Sequence, residues 1–369
     1  MATHKKRIVA CSDGTWNSSE KETHTNVELF YNCINEHDAN GIQQVKIYDA
    51  GVGSSSFDTK DQVFGGIIGA GIDQNIKDVY TFLMLNYQPG DEIYLFGFSR
   101  GAYTSRSVAG FINNCGILKP ENLHLIDNAY ELYRSRDKYA SPDSDMMKSF
   151  RQNYCVEPET GVYFIGVWDT VGSLGFPWKK KYNAKRYKFH DVKISSKISY
   201  AYHALSIDES RSEFAPTLWE LTDTVKNTPG HKQVLEQRWF PGVHSNVGGG
   251  YANSGLSDLA LEWLFKMASN AGLSAEINGD VLNKKINGYQ FNPTYKGTLY
   301  NSMSLLYWIT FSYKPRTVMI ERKNEKGERM VTNEVLDDSV LLRYNDAALK
   351  YKPKNLRNAI IQYNMKQAK

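Results

Sequence analysis

The segment that most constrains this 369-residue chain is GFSRG at residues 97–101, which lies between a predicted strand and a predicted helix. Residues 92–96 form an apolar run typical of a buried strand, and residues 102–112 carry small side chains at helical spacing. Glycines on both sides of Ser99 permit a tight turn where larger side chains would collide with the neighbouring strand and helix. The pattern therefore predicts a strand–turn–helix unit, which is typical of α/β folds.

Further strands and helices alternate along the first half of the chain. Strands are predicted at 44–48 and 162–168 and a helix at 72–87, while the glycine-rich residues 65–71 are interpreted as a flexible hairpin or lid. This alternation favours a mostly parallel sheet covered by helices on both faces.

The second half of the chain carries a weaker pattern. A last core strand is predicted at 237–240, a helix at 256–267 and a charged loop or hairpin at 322–330. The segment around His203 is interpreted as helical. The aromatic segment 297–320 is predicted to be core, with an exposed patch for a lipid or a partner as the alternative.

Composition places the chain among globular proteins and excludes several classes. Hydrophobic residues make up 41%, and the 13% aromatic content argues against disorder. A net charge of +4 is too small to indicate a nucleic-acid-binding protein. The sequence lacks a run of roughly 18 uncharged apolar residues, so we predict no transmembrane segment.

Targeting signals and metal motifs are also absent from the sequence. The apolar run after the basic N-terminus is too short for a signal peptide, so we expect a cytoplasmic protein or one delivered without a cleavable signal. The irregular spacing of Cys11, Cys33, Cys115 and Cys155 predicts reduced thiols in place of disulfides or a zinc site. We expect no metal and no other cofactor.

A serine on such a turn is a candidate nucleophile, and it needs an imidazole base that a carboxylate orients. In this type of fold the chain order is serine, then acid, then histidine. Of the eight histidines, His244 has the most suitable context, because a glycine-rich loop carries it directly after the strand at 237–240. The alternative interpretation of a lone histidine is a structural one. We predict that His244 is the general base for Ser99.

Two acids lie between the serine and the histidine in the sequence. Asp169 directly follows the strand at 162–168, and a polar residue at the carboxyl end of a parallel strand faces the crevice where ligands bind. Asp208 is the alternative acid, and either residue could instead cap a turn. We favour Asp169.

The negative charge that develops on an acyl oxygen needs two backbone N–H donors. Arg100, the residue after the nucleophile, is predicted to supply one of them. Gly14 and Thr15 follow a short apolar run at residues 7–11 and are predicted to supply the other, although a purely structural turn capped by Asp13 is an equal alternative.

These motifs together resemble a bacterial and fungal family of uncharacterised α/β-hydrolases that includes the catalytic domain of phospholipase effectors delivered by type VI secretion. The matching segments are CSDGTWN at 11–17, GFSRGAY at 97–103, VWDTVG at 167–172, HALSIDE at 203–209 and WFPGVHSNVGGGY at 239–251. The resemblance implies an α/β-hydrolase-like, mostly parallel sheet and a Ser-Asp-His triad at Ser99, Asp169 and His244. We expect one domain over 1–369, with a catalytic core at about 6–270 and a C-terminal helical and aromatic extension at about 271–369.

The resemblance and the motifs predict a serine hydrolase of carboxylic esters, with lipid or phospholipid acyl esters as substrate. The alternatives are an acyltransferase or thioesterase on the same triad and a catalytically degenerate interaction module. Asn246 is the one support for degeneracy, because the family usually has aspartate two residues after the histidine. A basic cluster is predicted either to contact an anionic lipid surface or to form a solvated loop. It consists of Lys179, Lys180, Lys181, Lys185, Arg186 and Lys188.

Overall fold

A seven-stranded sheet runs through the centre of the protein, and each neighbouring pair of its strands is parallel. The computed structural model describes residues 5–14, 23–51, 67–171, 193–228, 230–286, 288–303, 313–319, 322–323 and 327–361. The strands of the sheet, in spatial order, are β2 (Gln44–Asp49), β1 (Arg7–Ser12), β3 (Glu92–Phe98), β4 (Val162–Trp168), β6 (Ile198–Ser206), β8 (Val234–Phe240) and β9 (Glu334–Leu336). Two short strands, β5 (Lys193–Ile194) and β7 (Glu220–Leu221), pair separately.

Helices connect the strands and cover the sheet. They are α1 (Asn26–Cys33), α2 (Ile67–Asn86), α3 (Arg100–Cys115), α4 (Ile126–Arg134), α5 (Asp145–Tyr154), α6 (Asp223–Asn227), α7 (His244–Gly248), α8 (Gly255–Asn270), α9 (Gly279–Lys285) and α10 (Asp338–Asn345).

The central strands β1, β3, β4 and β6 are buried on both faces along most of their length, which explains their largely apolar runs. In β1, Ile8 and Ala10 belong to one hydrophobic cluster, and Val9 and Cys11 belong to the cluster on the opposite face. The first cluster contains side chains of α2, α3 and α4, and the second contains side chains of α1, α8 and α9. The predicted parallel α/β-hydrolase-like sheet is confirmed.

Three local predictions differ from the structure. His203 lies in strand β6, because its segment alternates buried side chains between the two sheet faces and does not form the predicted helix. The strand at 237–240 is longer and is not the last, because β9 pairs with it at the edge of the sheet. Helix α2 begins at Ile67, so the second half of the glycine-rich segment is helical, whereas the segment had been interpreted as a hairpin or lid.

The remaining predictions concern the hairpin, the cysteines, the basic and aromatic segments, and membrane-spanning helices. Residues 322–330 contain an antiparallel bridge between Lys323 and Arg329, in agreement with the predicted hairpin. All four cysteines are buried and free. The basic cluster at 179–188 and part of the aromatic segment, 304–312, lie outside the described residues. Within the described ranges, no helix combines the length and the apolar character needed to cross a membrane.

Candidate active site

Ser99 occupies a sharp turn between β3 and α3. Its backbone has φ 57° and ψ −117°, a conformation that a non-glycine residue adopts only under strain. A Cβ atom on Gly97 would lie 2.4 Å from the carbonyl oxygen of Gly101, and one on Gly101 would lie 2.0 Å from that of Ser12. Both flanking positions therefore require glycine, because the helix starts directly against the strands.

His244 lies beside this turn and connects two other side chains. Its Nε2 is 2.8 Å from the Ser99 Oγ, and its Nδ1 is 2.6 Å from Oδ2 of Asp169. An ionised carboxylate only accepts hydrogen bonds, so Nδ1 carries the proton and Nε2 is left to accept the serine O–H. His244 begins the short helix α7, whereas the sequence had suggested an open glycine-rich loop.

Asp169 follows β4 and is fully buried. Its φ of 43° is also unusual for a non-glycine residue, and its N–H donates to the carbonyl of Ala204 in the adjacent β6 at 2.8 Å. This conformation turns the carboxylate toward His244. Ser206, at the end of β6, donates to the same carboxylate through its N–H at 2.9 Å and its hydroxyl at 3.2 Å.

Arg316 is the fourth side chain of this group, and its guanidinium pairs with the Asp169 carboxylate. Its Nη1 lies 2.5 Å from Oδ1 of Asp169, and its Nη2 lies 2.9 Å from Oδ2. Burial by itself would raise the pKa of Asp169, but the Arg316 charge and the hydrogen bond from His244 outweigh it and hold the pKa far below its usual range.

The imidazole of His244 is enclosed by aromatic rings. The ring centres of Phe98 and Phe214 lie 4.6 Å and 4.9 Å from it. Burial lowers the pKa of His244, although the nearby Asp169 charge acts in the opposite direction. His244 is therefore neutral at pH 7, as a general base must be. The carboxylate of Glu209 accepts the backbone N–H of His244 at 3.3 Å and forms an ion pair with Arg211 at 2.8 Å.

Comparison with known proteins assigns the family. The profile of the type VI secretion phospholipase effector Tle1-like catalytic domain matches residues 6–267, which is more than half of the chain. The chain belongs to this family. An uncharacterised protein of Saccharomyces cerevisiae is 28% identical over 226 residues, a match that covers 57% of this chain and 32% of the yeast protein.

Two solved structures are also similar to this Tle1-like chain. An uncharacterised protein from Pseudomonas aeruginosa has 17% sequence identity and a TM-score of 0.43, over 79% of this chain and 49% of that one. The Tle1 effector bound to the VgrG spike of the type 6 secretion system has 16% identity and a TM-score of 0.40, over 68% and 52% of the two chains. The matches thus span about a third of the yeast relative and about half of each solved chain.

In the Tle1-like chain, the alternative acid Asp208 has a different set of neighbours. Its Oδ2 accepts the N–H of Gly242 at 2.7 Å and the hydroxyl of Tyr351 at 2.8 Å. Burial raises the pKa of Asp208. Asp208 therefore ties the turn before His244 to the C-terminal region, and its carboxylate is engaged away from the imidazole.

The predicted oxyanion donors lie in two places. Arg100 is the first residue of α3, where backbone N–H groups have no partner within the helix. The N–H of Gly14 donates to Oδ1 of Asp13 at 2.6 Å, so this donor already has an acceptor. Thr15 lies outside the described residues.

Asn246, where the family usually has aspartate, supports the histidine turn. Its Oδ1 accepts the N–H groups of Val243 and Tyr300 at 3.3 Å and 3.2 Å, and its Nδ2 donates to the carbonyl of Thr298 at 3.0 Å. An amide supplies the donor that a carboxylate lacks. Asn246 therefore connects the turn to residues 298–300 without contacting the reacting atoms.

Sequence reasoning missed Arg316, Ser206 and Glu209 as parts of the site. Arg316 lies beyond the matched residues 6–267, in a region without a recognisable motif. The one signal was the position of Arg316 two residues before the apolar pair Val318 and Met319. A charged side chain next to a buried segment is itself expected to be buried and to need an oppositely charged partner. Ser206 and Glu209 were visible as residues of the matching segment at 203–209, but nothing in the sequence assigned a contact to them.

Proposed function

We propose that this protein is a serine hydrolase of carboxylic esters and that acyl esters of lipids are its substrate class. The observation that carries the proposal is the unbroken chain of contacts from Ser99 Oγ through the His244 imidazole to the buried carboxylate of Asp169. An ordered nucleophile, base and acid at hydrogen-bond distance is the arrangement that acyl transfer needs.

The reaction follows from this geometry. Ser99 Oγ attacks the acyl carbonyl while Nε2 of His244 takes its proton, and Asp169 stabilises the imidazolium that forms. The imidazolium then protonates the leaving alcohol, which leaves an acyl group on Ser99. Water, activated by the same imidazole, hydrolyses this acyl-enzyme and restores the free serine.

The oxyanion site is proposed from the same residues that the sequence indicated. Arg100 supplies one donor, because its N–H lies at the unpaired start of α3 beside the nucleophile. The second donor is proposed in Gly14 or Thr15. For Gly14 this role requires the N–H to exchange Asp13 for the substrate oxygen.

The family name supports lipids as substrates, since the matched domain is that of a phospholipase effector. We further propose that the basic residues at 179–188 contact anionic lipid headgroups, because clustered lysines are attracted to such surfaces. Hydrolysis of phospholipid vesicles, followed by mass analysis of the released products, tests the substrate class. Comparison of vesicles with and without anionic phospholipid tests the contact with anionic headgroups.

Substitution of Ser99 tests the nucleophile. Ser99→Ala is expected to abolish turnover of a short-chain nitrophenyl ester and labelling by a fluorophosphonate, because both require the hydroxyl. Circular dichroism and thermal unfolding verify that the variant is folded. Undiminished ester turnover by Ser99→Ala would reject the proposal. Transfer of the acyl group to an added alcohol or thiol, at the expense of hydrolysis, would identify an acyltransferase.

The two acids can be separated by matched substitutions. Asp169→Asn is expected to lower kcat by roughly 10⁴-fold, because an amide favours the wrong imidazole tautomer. Asp208→Asn is expected to retain most of the activity and to lose stability, because Asp208 holds Gly242 and Tyr351. Nitrophenyl ester kinetics and urea unfolding of both variants check this. A collapse of kcat in Asp208→Asn alone would reassign the acid.

A further inference from the structure

We propose that Arg316 is a positioning residue, which fixes the Asp169 carboxylate and limits how strongly that carboxylate favours a protonated His244. This inference rests on the proposed hydrolase function. It adds a buried cation, from outside the family-matched residues 6–267, to the serine, acid and histidine.

The carboxylate of Asp169 is held on both oxygens. Oδ1 accepts Nη1 of Arg316 and the N–H of Ser206, and Oδ2 accepts Nη2 of Arg316, the Ser206 hydroxyl and Nδ1 of His244. The two parallel N–H···O bonds from one guanidinium fix the plane of the carboxylate as well as its position. Arg316 and Ser206 thus hold Oδ2 in the direction of His244 that the Asp169 backbone gives it, and only Arg316 does so with a charge.

Arg316 is itself held in place by the main chain. Its side chain is 2% exposed, and it donates to the carbonyl groups of Ser206 at 2.9 Å and Phe214 at 2.6 Å. Asn355 donates to the Arg316 carbonyl at 3.1 Å. If the guanidinium turned away, two main-chain carbonyls and the buried Asp169 carboxylate would each lose a hydrogen-bond donor. Arg316 is therefore fixed in this position.

The charges around His244 give this contact its chemical consequence. Asp169 and Arg316 form a neutral pair, so the imidazolium gains less from Asp169 than it would from an isolated carboxylate. Glu209 and Arg211, which face His244 from the segment after β6, form a second neutral pair. His203, on β6 behind Asp169, is kept neutral by burial. Among the described residues around His244, Arg316 is thus the cation that directly contacts Asp169, the carboxylate to which His244 is hydrogen-bonded.

The experiment replaces Arg316 and reads His244 directly. Histidine NMR titrations are recorded in a Ser99→Ala background, and kcat/KM against pH is measured with Ser99 intact. Arg316→Gln removes the charge but keeps a donor, and it is expected to raise the pKa of His244, and with it the acid limb of the profile, by about one pH unit. Arg316→Met is a second charge-free variant in case the glutamine variant does not fold.

Two further variants separate charge from structure. Arg316→Lys keeps the charge but not the two parallel bonds, so we expect a lower kcat with the acid limb at its wild-type position. Arg151→Gln is the matched control, because Arg151 is buried and donates to the carbonyls of Asn114, Pro142 and Pro158, away from the triad. It is expected to leave the His244 titration unchanged.

The outcomes distinguish this inference from the proposed function. A folded charge-free variant in which His244 titrates as in the wild type would overturn the role of Arg316. An upward shift of the His244 titration in Arg316→Lys would also overturn it. Absence of ester turnover and of fluorophosphonate labelling in the wild type would instead reject the hydrolase, while the NMR titration would still report on Arg316.

Discussion

At the scale of single residues, His203 shows how a buried histidine can support the site without reacting. Its Nε2 accepts the N–H of Thr170 at 3.0 Å, directly after Asp169, and its Nδ1 lies 3.3 Å from Oε1 of Gln237. Burial, with a smaller contribution from the Arg106 charge, lowers the pKa of His203 to about 3. The neutral ring therefore fixes the turn that presents Asp169.

This pKa predicts a pH dependence of stability. Unfolded His203 binds a proton below about pH 6.5, but the folded residue does not do so until about pH 3, so stability is lost as pH falls through this interval. Between pH 7 and pH 5 the loss from His203 is about 2 kcal/mol. His203→Gln keeps an acceptor and a donor without a titrating group, and it is expected to lack this loss.

Urea unfolding of the wild type and of His203→Gln at pH 7 and pH 5 measures how much of the free energy of unfolding each protein loses. The lowered pKa of His244 also reduces stability as the pH falls, but it does so in the wild type and in His203→Gln alike, so its effect cancels in the comparison. Equal losses of the free energy of unfolding in the wild type and in His203→Gln would contradict the assignment of a neutral His203.

At the scale of secondary-structure elements, the turn at Ser99 depends on three elements. Strand β3 leads into it, α3 leaves it, and the end of β1 packs against the first turn of α3 at Gly101. The carbonyl groups of Ser12 and Asp13 fill the space that a side chain at Gly101 would need. The position of Ser99 is therefore determined by the packing of backbone on backbone.

Gly101→Ala tests this packing. The added methyl group must displace the backbone of β1 or α3, so we expect a loss of about 3 kcal/mol in stability together with loss of ester turnover. Gly279→Ala is the control, because Gly279 begins α9 with open space around the added atom. Urea unfolding and nitrophenyl ester assays measure both effects. Wild-type stability in Gly101→Ala would show that the backbone accommodates the methyl group.

The elements that the sequence predicted best are those whose signals are local. The strands at 92–98 and 162–168 are apolar because both sheet faces are buried, whereas the edge strand at 44–49 alternates and is only partly buried. The glycines at 97 and 101 indicate a close backbone contact beside Ser99. Ser99, Asp169 and His244 were selected because each follows a strand of one parallel sheet, and in the structure their side chains are in contact.

The predictions that differ from the structure concern contacts that no local pattern records. The three-residue strand β9 pairs with β8 across 97 positions of sequence, and such a short segment has no distinct periodicity. The segment around His203 forms a strand in place of the predicted helix, because alternation and helical spacing overlap in short apolar segments. Arg316 meets Asp169 across 147 positions, so only the folded chain reveals the pair.

At the scale of the whole molecule, the C-terminal region is built into the sheet and the site. A third hydrophobic cluster joins Leu205 and Trp239 of the sheet to Val318, Leu336 and Leu356. The same region supplies β9, the guanidinium on Asp169 and the tyrosine hydroxyl on Asp208. We therefore propose that residues 1–369 form one folding unit, in which the C-terminal extension completes the catalytic core.

Removal of this region tests the proposal. A fragment that ends at residue 267 keeps the three triad residues but exposes the edge of β8, part of the third cluster and the buried charge of Asp169. We expect it to aggregate or to lack a cooperative unfolding transition, and not to react with a fluorophosphonate. Size-exclusion chromatography, thermal unfolding and labelling measure this. A monomeric, cooperatively unfolding and labelled fragment would contradict it.

The positive φ angles of Ser99 and Asp169 have a wider consequence. Each residue is held in a conformation in which glycine would be more comfortable, so two of the three proposed triad positions work against the stability of the fold. Glycine at position 99 would relieve the strain and remove the proposed nucleophile, whereas glycine at position 169 would also leave the buried charge of Arg316 without its carboxylate. The proposed chemistry at Ser99 thus carries a cost in the stability of the scaffold that presents it.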